Sequence, residues 1–273
     1  MAALLPGPWN PAVAAKQIAS IDNYSKGRVA VNVVSGWFKM EFTSIGQWWL
    51  DHGERYRRSR EFIACLKGIW TQDSFNFKGD FYQFHDYPLK PKPVATPDRP
   101  WPEIFQGCNS IDARENAVAG SDYYFMNGNT PEGFQTQIKD VKERAEQHGR
   151  GGEVKFAVNG FVIARGTEEA AIRVLQEIQG KADLAAANDL VQYNDGFKTK
   201  LIGTPEQIAD RILLIKFLGV QILLVAFLHY EDDIKQFGEQ VLSLVRKIEA
   251  EGRGTDEAYE ISLTGDMYRE ITE

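Results

Sequence analysis

The chain has 273 residues, 43% hydrophobic and 25% charged, which is enough apolar side chain for a full core and excludes a disordered or fibrous array. Its 31 basic and 38 acidic residues leave a net charge of -7, with no basic run able to track a phosphate backbone, so the expected ligand is small and is not nucleic acid. Cys65 and Cys108 supply neither a disulfide framework nor metal-ligand spacing, which fits a reducing compartment. No charged n-region precedes an apolar run, and the most apolar stretch, Ile212 to Leu228, is broken by Lys216, Gly219 and Gln221; a cytoplasmic protein without a membrane span is expected.

In chain order, strand and helix signals alternate, as in parallel α/β folds where each crossover needs a helix. A strand end at Ala2 to Leu5 is followed by a helix over Pro11 to Asp22 and a strand over Arg28 to Val34. A helix is predicted from Gly53 to Trp70, and the alternation SFNFKGDFYQFHD around Lys78-Gly79 predicts a hairpin over Ser74 to Asp86. The proline-studded stretch Pro88 to Pro102 runs extended into a strand at Glu103 to Gln106, then a helix at Ser110 to Ala119 and a strand at Tyr123 to Met126. Thr130-Pro131-Glu132 and Thr204-Pro205-Glu206-Gln207 each place a hydroxyl at N-cap and proline at N1, and Gln207 completes a capping box. Strands at Val154 to Ala164 and Gln221 to Phe227 and helices at Thr167 to Lys181 and Asp232 to Ala250 complete the pattern. Residues 251–273 lose periodicity and are expected to form a polar tail behind a single domain over 1–250.

Repeated βα units without G-x-G-x-x-G favour a (β/α)8 barrel over a Rossmann fold. The strand count falls short of eight, so the expected fold is α/β, a TIM barrel lacking its first two to three βα units. In such a barrel chemistry sits at strand exits, and here these are polar. The first exit carries Asn32, Ser35 and Gly36 before Trp37-Phe38. The next, Gln106-Gly107-Cys108-Asn109-Ser110, could admit an anion through Gly107 and the helix start, although a simple N-cap explains Ser110 equally well. Asn159 and Phe161 share a face of their strand; Asn159 is either a ligand contact or a satisfied structural amide. The last strand delivers Phe227, Leu228 and His229 to the rim.

Among the four histidines, His148 suits a helix end, His85 packs on the hairpin, His229 stands at a strand exit, and His52 opens a helix where its imidazole could donate to an anion. Arg55, Arg57, Arg58 and Arg60 read as a solvated face, with Glu54 and Arg58 an i,i+4 pair. No metal-ligand set and no G-x-S-x-G turn is found, so hydrolase and metalloenzyme readings lose ground.

The segments YSKGRVAVNVVSGWF, HGERYRRSREFIACLKGIWTQ, PEIFQGCNS, SDYYFMNGNTPEGF, NDLVQYNDGF and LIGTPEQIADRI, in this order, resemble the bacterial-luciferase-like flavin monooxygenases, and most closely their carbon–sulfur-cleaving branch, which includes the alkanesulfonate monooxygenases. The resemblance implies the (β/α)8 barrel, reduced FMN supplied by a separate NAD(P)H-dependent flavin reductase, and O2-dependent cleavage of a carbon–sulfur bond in a small organosulfur compound such as dimethyl sulfone. It also implies a homo-oligomer. By motif, it places Asn32 and Ser35 near the flavin, His52 and Tyr56 at the FMN phosphate and ribityl chain, and Gly107, Asn109 and Ser110 in the phosphate loop. Trp37, Asn159, Phe161, Phe227 and His229 are the substrate-pocket candidates; Asn159 and Phe161 stand where alkanesulfonate-cleaving relatives carry Arg and His, which favours a neutral sulfone over a sulfonate anion. No catalytic side chain is assigned, because chemistry in this class belongs to the cofactor.

Three departures from the family pattern are expected to matter. The opening βα units are missing, Cys108 replaces a phosphate-loop glycine where a Cβ would clash at positive φ, and the loop between Lys181 and Asn188 is short. The alternative reading is therefore a non-catalytic or inactive truncated flavin- or ligand-binding relative. A deazaflavin-dependent reductase on the same fold is a third, disfavoured by the segments above.

Overall fold

The computed structural model describes residues 3–181 and 195–252. No helix among them is long and apolar enough to cross a membrane. They fall into two compact units: Met1–Phe125 with Val141–Lys155, and Met126–Asp140 with Phe156–Glu273.

The first unit opens with β1 (Ala3–Leu4) and α1 (Pro11–Ser25). Asn10 starts α1 by accepting from the Ala12 N–H with Pro11 at N1, and Lys26, in the left-handed region at φ 56°, ends it. Next come β2 (Ala30–Val33), the short α2 (Met40–Thr43) and α3 (His52–Thr71). The hairpin β3 (Phe75–Lys78) and β4 (Gln83–Tyr87) precedes β5 (Glu103–Gly107), α4 (Ile111–Gly120) and β6 (Tyr123–Met126). β1, β2, β5 and β6 pair in that order, all parallel. Ala14, Ala15, Ile18 and Ala19 form the buried stripe of α1, and Phe62, Ile63, Leu66 and Ile69 that of α3; both belong to one core with Val31, Val33 and Ile104.

Two carboxylates organise this unit. Asp22, fully buried, accepts from the N–H groups of Val29 (3.3 Å) and Val94 (2.9 Å) and from both terminal nitrogens of Arg99 (3.2 and 2.7 Å). This pins the proline-rich stretch to α1. Glu61 on α3 accepts from the N–H groups of Asp80, Phe81 and Tyr82 (2.8, 2.9 and 3.2 Å) and so grips the hairpin turn; at Gly79 a Cβ would come within 2.3 Å of that carboxylate.

α5 (Pro131–Gln147) begins where Thr130 Oγ1 accepts from the Gly133 N–H. The second unit then contains β7 (Lys155–Ala164), α6 (Glu168–Lys181), a 3-10 turn at Asp195–Thr199, β8 (Ile202–Gly203), α7 (Pro205–Phe217), β9 (Ile222–Phe227), α8 (Tyr230–Gln236), a π turn at Phe237–Leu242 and α9 (Ser243–Ala250). β7 pairs in parallel with β9 along 157–162 and with β8 along 163–164. Thr204 and Gln207 close the expected capping box at α7.

The strands and helices expected from the sequence are present, with ends shifted by up to three residues. Two short elements, α2 and β8, were not anticipated, and the last expected helix starts at Tyr230 and is interrupted by the π turn. The expected short loop at Lys181 to Asn188 lies, beyond Lys181, outside the described residues, as does the polar tail from residue 253 onward.

Candidate functional site

The polar cluster in the first unit forms where β2 and β5 end and α3 and α4 begin. On the buried face of α3 the positions 55, 58, 59, 62, 66 and 69 recur at helical spacing, and so Arg55 and Arg58 point inward. This corrects the solvated-face reading of the arginine run: both are buried, whereas Arg57 is outside and pairs with Glu54, the partner expected for Arg58. Arg55 donates to the carbonyls of Gly36 (3.2 Å) and Leu50 (2.7 Å) and stacks 4.0 Å from the Trp49 ring, which ties together the two ends of the loop after β2. Arg58 lies over the Phe42 ring with Nε and Nη2 unpaired, and burial lowers its pKa.

Next to Arg55 on α3, Tyr56 faces the start of α4. Ser110 is the N-cap of α4, its Oγ accepting from the Ala113 N–H (3.2 Å) and donating to the Tyr56 hydroxyl (3.0 Å). The N-cap reading of Ser110 therefore holds, and the same hydroxyl also orients Tyr56. The Tyr56 oxygen accepts from Ser110, and the Cys108 side chain is a second hydrogen-bond partner of the same hydroxyl. Burial raises the Tyr56 pKa, with Cys108 and Asp112 adding to the effect, and the hydroxyl keeps its proton. Asn116 on α4 donates to the Tyr56 carbonyl (2.9 Å) and accepts from Arg60 (3.2 Å), fixing α3 against α4. The His52 ring stands 5.0 Å from that of Tyr56, with Nδ1 on the Asp112 carboxylate at 2.7 Å.

Beside this pair, Gly107 brings its backbone close to Asn32: a Cβ there would lie 3.4 Å from Asn32 Oδ1, a buried acceptor with no partner. Cys108 adopts φ 106°, the conformation for which a glycine is the ordinary choice, and its N–H reaches the Phe125 carbonyl at 3.3 Å. Ser35 is buried with its hydroxyl 2.8 Å from that of Ser59. Thus Asn32, Ser35, His52, Tyr56, Gly107 and Ser110 gather at neighbouring element ends; Asn109 adjoins them, its carbonyl accepting from Arg114 at 3.2 Å. Trp37 is exposed and packs on Phe38, ring centroids 5.6 Å apart.

In the second unit, Asn159 Oδ1 accepts from the Gly128 N–H at 2.7 Å, and its carbonyl accepts from Thr199 at 2.7 Å. Phe161 packs on Phe197 at 4.4 Å, and Phe227 meets Phe237 edge to face at 5.4 Å. His229 is exposed at the start of α8, its N–H held by Asp233 at 3.0 Å. Among the described residues no group of His, Cys, Asp and Glu could hold a metal ion.

Sequence reasoning missed Arg55, Ser59 and Asn116. The first two could have been found from their register with Phe62 and Leu66; Asn116 carries no such signal, because its role is set by a long-range contact.

Residues 1–221 match the family model described as luciferase-like monooxygenase, and the chain belongs to that family. It is 54% identical to an FMNH(2)-dependent dimethylsulfone monooxygenase of Pseudomonas putida, an alignment covering 93% of this chain and 76% of that protein. A protein of the same description from Pseudomonas fluorescens (strain Pf0-1) is 50% identical, over 93% of this chain and 75% of the other. Among solved structures, the EDTA monooxygenase EmoA from Chelativorans sp. BNC1 superposes with a TM-score of 0.76 at 17% identity, covering 97% of this chain and 77% of that one, and shares the fold. The parallel α/β architecture is consistent with part of a (β/α)8 barrel.

Proposed function

We propose that the chain is an FMNH2-dependent monooxygenase that uses O2 to cleave a carbon–sulfur bond in a small organosulfur compound such as dimethyl sulfone, that a separate flavin reductase supplies its reduced FMN, and that it works as a homo-oligomer in the cytoplasm. The observation that carries the cofactor reading is the Ala113–Ser110–Tyr56 hydrogen-bond relay at the start of α4, which holds a buried, protonated hydroxyl beside the first turn of that helix. The residues present fit a phosphate end. Tyr56 would donate to a phosphate oxygen together with the first-turn N–H groups of α4, and Ser110 would hold Tyr56 in place. With His52 Nδ1 engaged by Asp112, Nε2 is the ring nitrogen left to face a ligand. Gly107 permits close approach, and the orphaned Asn32 Oδ1 offers an acceptor to a donor on the flavin side.

When bound, reduced FMN supplies the electrons and the oxygen chemistry. The protein binds, orients and excludes water; Arg55 keeps the loop after β2 in place at the edge of this cluster. Trp37, Asn159, Phe161, Phe227 and His229 are proposed as substrate contacts on the family resemblance, and the amide of Asn159 in a largely apolar strand favours a neutral ligand. The names of the Pseudomonas relatives support the same substrate class.

The test is anaerobic fluorescence titration with reduced FMN and reduced riboflavin. Tyr56→Phe and Ser110→Ala should each weaken FMN by about 10-fold, the value of one charge-assisted hydrogen bond, and riboflavin hardly at all. Equal losses for the two ligands would remove both residues from the phosphate site. Reductase-dependent consumption of dimethyl sulfone under air tests the reaction itself.

A further inference from the structure

Away from the strand exits, α3 and α4 carry matching stripes. Arg60, Ile63, Ala64 and Lys67 share one face of α3 at helical spacing, and Asn116, Ala119 and Gly120 do the same on α4. The small side chains of Ala64, Ala119 and Gly120 leave room between the helices, and with Arg150 these residues enclose a cavity of about 240 Å³. Its lining contains three cations and no acid. Arg150 spends its donors on the carbonyls of Val118 and Ser121, both at 2.9 Å, and on Glu153 at 2.8 Å, so it contributes charge alone. Arg60 donates from Nε to Asn116 at 3.2 Å, and its terminal nitrogens make no hydrogen bond. Lys67 is the group the fold leaves unsatisfied. Its side chain is only 21% exposed, yet its Nζ lies 4.1 Å over the Trp101 ring and 3.8 Å from Asp122 Oδ1, beyond hydrogen-bond reach of either. Asp122 is already engaged, accepting from Trp101 Nε1 at 3.0 Å and from the Ile104 N–H at 2.8 Å. Burial lowers the Lys67 pKa and Arg150 adds to that, while Asp122 and Glu153 offset part of it. A further negative charge here would stabilise the ammonium.

We propose that this cleft between α3 and α4 binds a small organic oxyanion, a charged oxygen-bearing head on a short apolar stem. The Lys67 ammonium and the terminal nitrogens of Arg60 take the head, because they are the donors without hydrogen-bond partners, and Arg150 adds its field. The stem lies against Ile63, Ala64 and Ala119, which give the same cavity a carbon wall. A neutral ligand would leave the ammonium unsatisfied, and an inorganic anion would leave that wall uncovered. The volume sets the size: it falls below the roughly 300–1,000 Å³ of drug-sized sites, so a nucleotide or a flavin is too large. The cleft also stands apart from the proposed flavin cluster, with Asn116 between them donating to the Tyr56 carbonyl at 2.9 Å.

NMR titration of the full 273-residue chain tests this, with methanesulfonate, sulfate and dimethyl sulfone as probes. Sulfate keeps the charge without the stem, and dimethyl sulfone keeps size and shape without the charge. Methanesulfonate should shift the amides of residues 60–67 and 116–120 saturably, with a dissociation constant of about 1 mM, the scale for so small a ligand. Sulfate should bind about 10-fold more weakly there, and dimethyl sulfone should leave those amides unmoved. Lys67→Met, which keeps a stem against Trp101, and Arg60→Gln should each weaken methanesulfonate by about 10-fold with an unchanged circular dichroism spectrum. No saturable shift at these amides, or the same affinity in both variants, would overturn the site. Sulfate binding as tightly as methanesulfonate would overturn the role of the stem, and dimethyl sulfone binding as tightly would overturn that of the charge. Should the variants misfold, the wild type decides: the Lys67 amine must titrate at higher pH with methanesulfonate present than without it, and an unmoved titration would sink the proposal.

Discussion

Cys108 occupies a backbone conformation that side chains rarely adopt, immediately next to the phenol the proposed phosphate site depends on. Holding a Cβ at φ 106° costs about 1 kcal/mol, so Cys108→Gly is expected to raise stability by about that amount and to tighten reduced-FMN binding by relieving the loop. Urea unfolding and anaerobic titration measure the two effects; a variant less stable and no tighter would show that the cysteine side chain is itself part of the packing. The residue scale is also where the sequence was least legible. A motif could mark Ser110 and Tyr56 as neighbours of one ligand, but not that one hydroxyl feeds the other, since 54 positions separate them along the chain. Arg55 looked like one charge among four on a wet helix, although its register with Phe62 and Leu66 shows otherwise.

At the scale of elements the hairpin β3–β4 illustrates how a short two-stranded ribbon, marginal in isolation, is made part of the fold. Its turn is held by the Glu61 carboxylate through three backbone N–H groups, while Phe75 and Phe77 stack at 5.9 Å and join the core. Glu61→Ala should cost about 1–2 kcal/mol and speed exchange of the Asp80, Phe81 and Tyr82 amides, and Glu61→Gln, which keeps one acceptor oxygen, should lose less. Unchanged exchange in Glu61→Ala would mean that strand pairing alone holds the turn. Alternation around Lys78-Gly79 made this hairpin readable, and proline with a capping hydroxyl made α5 and α7 readable, because both signals are local. β8 was missed for the opposite reason: Ile202–Gly203 is a strand only because β7 offers backbone partners there. The π turn at Phe237–Leu242 likewise interrupts a pattern that is helical by composition, seating Phe237 against Phe227.

For the molecule as a whole, the pair of buried Asp22 and half-buried Arg99 carries weight beyond its two residues, because it joins α1, the approach to β2 and the proline-rich stretch before β5. Removing either partner leaves the other charge without its counter-ion in a largely buried place, so Asp22→Ala and Arg99→Ala should each cost about 3–5 kcal/mol, and the double variant much less than the two together. Denaturant melts of the three variants check this; strict additivity would show that the side chains act independently. The pair also imposes an order of events during synthesis. Asp22 emerges from the ribosome long before Arg99 exists, and α1 carries on its core face a carboxylate that cannot be desolvated alone. Docking α1 onto β2 before that point would bury the carboxylate without its counter-ion, so closure of this helix is expected to wait for the guanidinium 77 positions later in the sequence.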